Sequence, residues 1–228
     1  MMVIVKTVSP KISHPWDLKP AEAVALQARL ARQVVRQSCT RPEDMTTVAG
    51  IDAGYRNKTA FAAVVVLDLR DLQVLEKATA AKPVSFPYIP GLLSFREGPV
   101  VLEALDKLKS PPDLLLFDGQ GIAHPRRFGM ACHIGLLTGI PSVGCAKTRL
   151  LGDHEEPPRD RGSTADLKEN GETLGAVVRT RTDVKPVYIS IGHLMDLNDS
   201  IRLVLQCCRG YRLPEPLRRA DQLSREQK

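Results

Sequence analysis

No apolar run in this chain reaches the ~18 residues that a membrane-spanning helix needs. A secretory leader is not expected either, because residues 1–11 hold too short an apolar stretch and no clear cleavage site. There is no Cys-x-x-Cys pair. The cysteines are odd in number (Cys39, Cys132, Cys145, Cys207 and Cys208), which points away from a disulfide framework and from a zinc site. These absences together favour a reducing, cytoplasmic setting. Internal repeats are missing too, and nothing in the composition marks a second domain. The 228 residues suffice for one large domain spanning 1–228. Its first 19 residues, broken by Pro10, Pro15 and Pro20, should be irregular, and about 222–228 should be a disordered tail.

What is present is globular in composition, with 43% hydrophobic residues. The net charge of +6 permits a polyanionic partner without requiring one. Six basic residues against three acidic ones fall in the last twenty positions, a pattern typical of a solvated end.

Everything converges on residues 113–127, DLLLFDGQGIAHPRR. Leu114 to Phe117 have the length of a buried strand. Asp118 ends the run, and Gly119 and Gly121 let the backbone turn sharply. His124, Pro125, Arg126 and Arg127 follow, then a segment of helical spacing over residues 128–138. Ligands of open α/β sheets sit outside the carboxyl ends of strands. A carboxylate there suits a hard cation, and basic groups at a helix start suit phosphate.

Around this stretch the pattern predicts a helix over 20–37 and strands over 48–55, 60–69 and 73–80. Turn residues separate the strands, which implies an antiparallel meander. A loop over 82–93 carries Pro87, Tyr88, Ile89, Pro90 and Gly91. A helix should begin near Pro99 and run to residue 109, with Glu97 at its entrance. A short strand over 142–145 ends in Ala146 and Lys147. Residues 152–171 read as a polar surface excursion, 173–181 and 186–191 as a closing hairpin, and Asp196 as the N-cap of a last helix over 197–208. The fold class is α/β (α+β): a central mixed sheet flanked by helices.

Asp52, Glu97 and Asp118 occupy comparable places at strand ends or a helix entrance. Carboxylates brought together cannot all ionise cheaply without a cation among them. Such a group with Mg²⁺ suits phosphodiester cleavage.

On these strings the chain resembles the endonuclease V (deoxyinosine 3′ endonuclease) family. They are Gly50-Ile51-Asp52, the Pro87 to Gly91 string with Leu93 to Glu97, the Asp118 to Arg127 string, Val143 to Lys147, Gly192-His193, and the ending Gly210 to Pro216. The resemblance covers about residues 20–221. It implies a ribonuclease H-like fold and cleavage, dependent on Mg²⁺ with Mn²⁺ as substitute, of the second phosphodiester bond 3′ to a deaminated purine. It implies Asp52 and Asp118 as metal ligands, with Glu97 close to the metal or its water. Lys147 would hold the scissile phosphate or the water, and His193 would lie at the edge of the site. The Pro87-Tyr88-Ile89-Pro90 loop would be a wedge that pries bases apart. The flipped base would lie near Gly91, Leu93, Gly119, Gly121, His124, Met130, Gly144 and Leu150, with Arg126 beside it. The partner would be deoxyinosine-containing DNA, single- or double-stranded, the bacterial-looking ending favouring DNA; an inosine-containing RNA remains the alternative. No membrane is involved and a monomer is expected. A phosphotransferase of the actin and sugar-kinase type needs a duplicated fold and a longer chain. A non-catalytic nucleic-acid binder gains nothing from three carboxylates.

Overall fold

Asn57 and Lys58 take φ values of 49° and 62°, the left-handed pair that a two-residue hairpin turn demands. The chain folds back there between β1 (Thr47–Arg56) and β2 (Thr59–Asp68), and again into β3 (Val74–Pro83). The structure is a computed structural model and describes residues 12–226. β1 pairs antiparallel with β2, and β2 with β3, so the expected meander forms.

The next strand, β4 (Leu114–Phe117), lies parallel to β1, with Ile51 opposite Phe117. Asp113 sets this register. Its Oδ2 accepts from the backbone N–H of Thr46 at 2.8 Å and of Thr47 at 3.0 Å, and from both hydroxyls at 2.9 and 3.0 Å. Burial alone would raise the pKa of this carboxyl, but those four donors outweigh it and hold the group below its ordinary value. A one-residue slip would break all four bonds.

β5 (Ser142–Ala146) continues the parallel set beside β4. β8 (Val187–His193), β7 (Glu172–Val178) and β6 (Thr164–Glu169) extend it antiparallel. The eight-stranded order is β3-β2-β1-β4-β5-β8-β7-β6. This is a mixed sheet whose parallel pairs, β1 with β4 and β4 with β5, lie at the centre, the ribonuclease H-like arrangement that the resemblance implies.

β4 is apolar at every position because both faces of the sheet are covered. Leu115 and Phe117 face α2 (Leu93–Asp106) and part of α3 (Met130–Thr138), against Val101, Leu105 and Ile134. Leu114 and Leu116 belong to the opposite cluster, with Leu203 and Val204 of α4 (Leu197–Gln206) and Leu217 and Ala220 of α5 (Glu215–Glu226). α1 (Pro20–Ala31) packs Leu26 and Leu30 into that second cluster.

Several expectations need correction. α1 stops at Ala31, six residues short. α2 begins at Leu93 rather than near Pro99, which lies inside the helix. A proline lacks the N–H that an interior turn uses, so its position reads as a helix start. Part of the polar excursion is β6, the edge strand. Residues 222–226 are not a disordered tail but the last turns of α5; 227 and 228 lie outside the described residues. Of the irregular N-terminal stretch, only 12–19 is described, and it holds no helix or strand. Among the described residues, no helix is long and apolar enough to cross a membrane, and the five cysteines are free thiols, only Cys39 exposed.

Candidate active site

The parallel register brings the end of β4 beside β1. The N–H of Asp118 donates to the carbonyl of Ile51 at 3.2 Å, which places Asp118, just past the end of β4, beside Asp52 midway along β1. Phe117 pairs with Gly144 of β5, so Lys147, just past β5, reaches the same point. Its Nζ lies 2.5 Å from Asp118 Oδ2. Partial burial opposes the lysine's charge. The hydrogen bond and charge of Asp118, followed by the charges of Asp221 and Asp52, outweigh it, and the pKa is raised. The ammonium thus pairs with Asp118 and lies within the field of Asp221 and Asp52.

Side chains alternate along β1. Ile51 and Ala53 line a cavity on the α2 side, which puts Asp52 on the α5 side, where its charge reaches Lys147. Glu97 comes from the other face, in the second turn of α2, where it is 8% exposed. It lines the same cavity as Asp118 and Lys147. Among the described residues, no three acidic, histidine or cysteine side chains are already grouped at metal-binding spacing. The donor set itself is hard carboxylate oxygen, which fits Mg²⁺ or Mn²⁺. Lys147 marks where a positive charge is stabilised.

The cavity has a volume of about 540 Å³, within the range of small-molecule sites. Of the expected base-pocket residues, Gly91, Leu93, Gly119, His124, Met130 and Leu150 line it. Tyr88, Ile89 and Pro90 of the loop form one rim; Pro87 is exposed outside it. A Cβ on Gly119 would meet nothing within 4 Å, so this backbone opens into the space.

Gly121 and Gly144 do not line the cavity. A Cβ on Gly121 would lie 1.9 Å from the carbonyl of Ile191, and one on Gly144 2.6 Å from that of Gly119. These glycines permit strands and turn to pack backbone against backbone. Gln120 between them donates from Nε2 to the Thr148 carbonyl at 3.1 Å, while its buried Oε1 has no partner.

The two arginines of the central string are both engaged with protein partners. Arg127 is held by Glu172 and Glu169, both at 2.8 Å. Arg126 turns inward, donating to the carbonyl of Gly91 at 2.7 Å and to Oε1 of Gln27. Gln27 is 1% exposed and also donates to the carbonyls of Phe128 at 2.8 Å and Gly91 at 3.1 Å. His124 adds a third bond to the Gly91 carbonyl, at 3.1 Å, through Nε2, while Nδ1 accepts from the Arg126 N–H at 3.2 Å. Those partners assign the neutral tautomer with the proton on Nε2. Burial, then the Arg126 charge, push its pKa down to about 4 against the pull of Gly91. Gly91 itself has φ +79°, and a Cβ there would lie 2.7 Å from Arg126 Nη2. The root of the loop therefore favours glycine.

His193 is at the wrong end of the sheet for the expected role. β8 runs antiparallel to β5 and pairs His193 with Ser142, the first residue of β5. Lys147 follows the last. Four residues of strand, at about 3.3 Å each, separate the two ends. The His193 ring instead accepts from the N–H of Val35 at 3.2 Å, pinning the segment after α1.

Sequence reasoning missed Gln27, Asp221 and Arg212. Arg212 donates from Nη2 to the carbonyls of Lys147 at 2.5 Å and Pro186 at 2.8 Å, tying the turn before α5 to the lysine. α5 is seated by Gly50 of β1, where a Cβ would lie 2.1 Å from the Pro216 carbonyl. That close approach carries Asp221 toward Lys147. The basic, proline-bearing ending masked the helix; the apolar spacing of Leu217, Ala220 and Leu223 was the available signal.

Comparisons with known proteins identify the family. The sequence profile of the endonuclease V family matches residues 28–222. Endonuclease V of Methanothrix thermoacetophila is 53% identical over 211 residues, covering 92% of this chain and 93% of its own. The crystal structure of endonuclease V from Streptomyces avermitilis superposes with a TM-score of 0.90 at 44% identity, covering 97% of each chain. That of Ciona intestinalis endonuclease V, in complex with DNA containing an inosine followed by a ribo-adenosine, has a TM-score of 0.81 at 28% identity, covering 91% of this chain and 96% of its own.

Proposed function

The chain belongs to the endonuclease V family and is a nuclease, and on that premise we propose that it hydrolyses the second phosphodiester bond 3′ to a deaminated purine, chiefly deoxyinosine in DNA, with Mg²⁺. The observation that carries this reading is Lys147 among Asp118, Asp52 and Asp221 at the mouth of a cavity rimmed by Tyr88. The relative from Ciona intestinalis, seen with inosine-containing DNA, supports the substrate class.

Asp52 and Asp118 would hold the metal, and Glu97 would approach from the cavity side. Bound there, the metal would supply Lewis acidity for activating water and polarising the phosphate. Lys147 offers a mobile positive charge to the phosphate oxygen that gains charge in the transition state. The flipped base enters the cavity beside Gly119, and neutral His124 keeps the floor free of a competing charge. Tyr88 fills the gap left in the stack.

The test is a cleavage gel with labelled single-stranded DNA, duplex DNA and RNA, each with one inosine, in Mg²⁺, Mn²⁺ or EDTA. The inosine DNA should be cut one nucleotide past the lesion and only with metal. Asp118→Ala should abolish cleavage and still bind the lesion strand, since it removes a ligand of the metal and leaves the base cavity. Full cutting in EDTA or by Asp118→Ala would overturn the reading. Cleavage of the RNA strand alone would move the substrate to inosine-containing RNA.

A further inference from the structure

Lys147 lines two openings, the base cavity and a second groove on the far side of the reacting point. The groove's other residues come from the turn before α5 and from α5 itself, among them Tyr211, Arg218, Gln222 and Arg225. None of them enters the steps above. Tyr211 is 51% exposed, and the Arg218 guanidinium stacks over its ring, 3.5 Å from the centroid. Glu215 fixes that guanidinium from below at 2.5 Å. One face of the tyrosine is therefore covered and the ring is oriented in advance. Arg225 is 72% exposed along its side chain and pairs with Asp221. The Arg212 bonds to the carbonyls of Lys147 and Pro186 tie the groove floor to the catalytic lysine.

An oriented ring with an arginine partner, beside exposed positive charge, is the combination that binds a single strand by stacking and backbone attraction. Resting on the function proposed above, the polarity follows. The lesion base sits in the cavity, 5′ of the bond to be cut, and the strand crosses Lys147. What emerges into the groove is the strand 3′ of that bond. We propose that this groove is a product-side subsite: Tyr211, backed by Arg218, stacks on one of the first two bases 3′ of the scissile bond, and Arg225 meets the phosphate that joins them.

The test uses the full chain and single-stranded DNA with one deoxyinosine. Abasic residues are placed in turn at the first, second and sixth positions 3′ of the cleaved bond. Affinity is measured in Ca²⁺ and single-turnover cleavage in Mg²⁺. Wild type should lose roughly fivefold to a hundredfold in affinity for an abasic residue at the first or second position, and nothing at the sixth. Tyr211→Ala should show that loss already on the intact strand and no further loss on the abasic one, while Tyr211→Phe should match wild type. Arg225→Gln should lower the slope of log affinity against log salt by about one. Equal discrimination between intact and abasic strands by wild type and Tyr211→Ala would overturn the subsite. So would a salt slope unchanged by Arg225→Gln. A wild type that cuts no inosine-bearing strand would instead overturn the preceding reading, and this one with it.

Discussion

The cleft has two walls built on different principles. One wall is the strand-end side, where Asp118 and Lys147 are placed by the backbone ladders of β1, β4 and β5. Its side chains are partly buried, Asp118 to 14% exposure. The other wall is the Pro87 to Gly91 loop. Its tip, Tyr88, is 69% exposed, while its root is held by three side chains converging on the carbonyl of Gly91. Chemistry thus rests on sheet register, which many residues share. Recognition rests on a few side-chain hydrogen bonds and a projecting ring. The two should be separable by substitution, one wall changing rate and the other changing binding.

The sharpest way to break the comparison is Lys147→Ala. It should lower the single-turnover rate by roughly two orders of magnitude, by analogy with other donors to transition-state charge. Affinity for the lesion strand should hardly move. Mn²⁺ affinity without DNA should not weaken, because the ammonium sits among the carboxylates that the metal needs. A rate within a factor of two of wild type would return Lys147 to a surface role.

On the opposite wall, Tyr88→Ala should weaken binding to inosine-containing duplex by roughly 5- to 100-fold, from a stacking energy of about 1–3 kcal/mol. The cleavage rate of bound strand and the metal affinity should stay the same, and Tyr88→Phe should be nearly neutral. Titration of lesion and undamaged duplexes in Ca²⁺ measures it. Wild-type affinity in Tyr88→Ala would make the loop a packed turn.

Gln27→Leu probes the root without touching the tip. It leaves the Gly91 and Phe128 carbonyls and the Arg126 guanidinium each short of one partner, at about 1–3 kcal/mol of folding stability. Denaturant melts should show that loss. The ratio of lesion to undamaged binding should also fall, because the loop is no longer held. Unchanged stability would mean that water or Arg126 replaces the amide.

The smallest effect is a pH dependence centred on His124. Its folded pKa of about 4 lies below the ordinary histidine value. Between about pH 6.5 and 4 the unfolded chain binds a proton that the folded chain does not. Stability is therefore complete above that window and declines as the pH falls through it. His14 and buried His133, whose Nε2 atoms lie 2.7 Å apart, are shifted the same way by burial and add the same sign. His124→Asn should make the loss of stability between pH 7 and 5 shallower. An unaltered slope would assign the whole dependence to the His14–His133 pair.

Legibility followed the range of the physics. The meander, β4 and the N-cap at Asp196 were readable because apolar alternation, turn residues and caps act over a few positions. The loop from Pro87 to Gly91 was readable as a stiff turn, though not how it is held, since Gln27 and Arg126 lie 64 and 35 residues from Gly91. Arg126 and Arg127 looked like phosphate ligands because sequence shows charge without its partners. Glu169 and Glu172 come from β6 and β7, and only folding brings them to Arg127.

The sequence by itself determined most of the order of elements, the candidate carboxylates and the family resemblance, because each is written in adjacent residues. Tertiary structure alone decided which groups share the cleft. His193 lies in a conspicuous Gly-His step, yet the antiparallel direction of β8 carries it to the far end of the sheet. Asp221 sits in an unremarkable basic ending, yet the close seating of Pro216 on Gly50 swings it toward Lys147. Strand direction and helix seating are set by contacts between segments far apart in the chain, His193 pairing with Ser142 and Pro216 seating on Gly50. No local pattern encodes them, because burial energy is summed only when those segments meet.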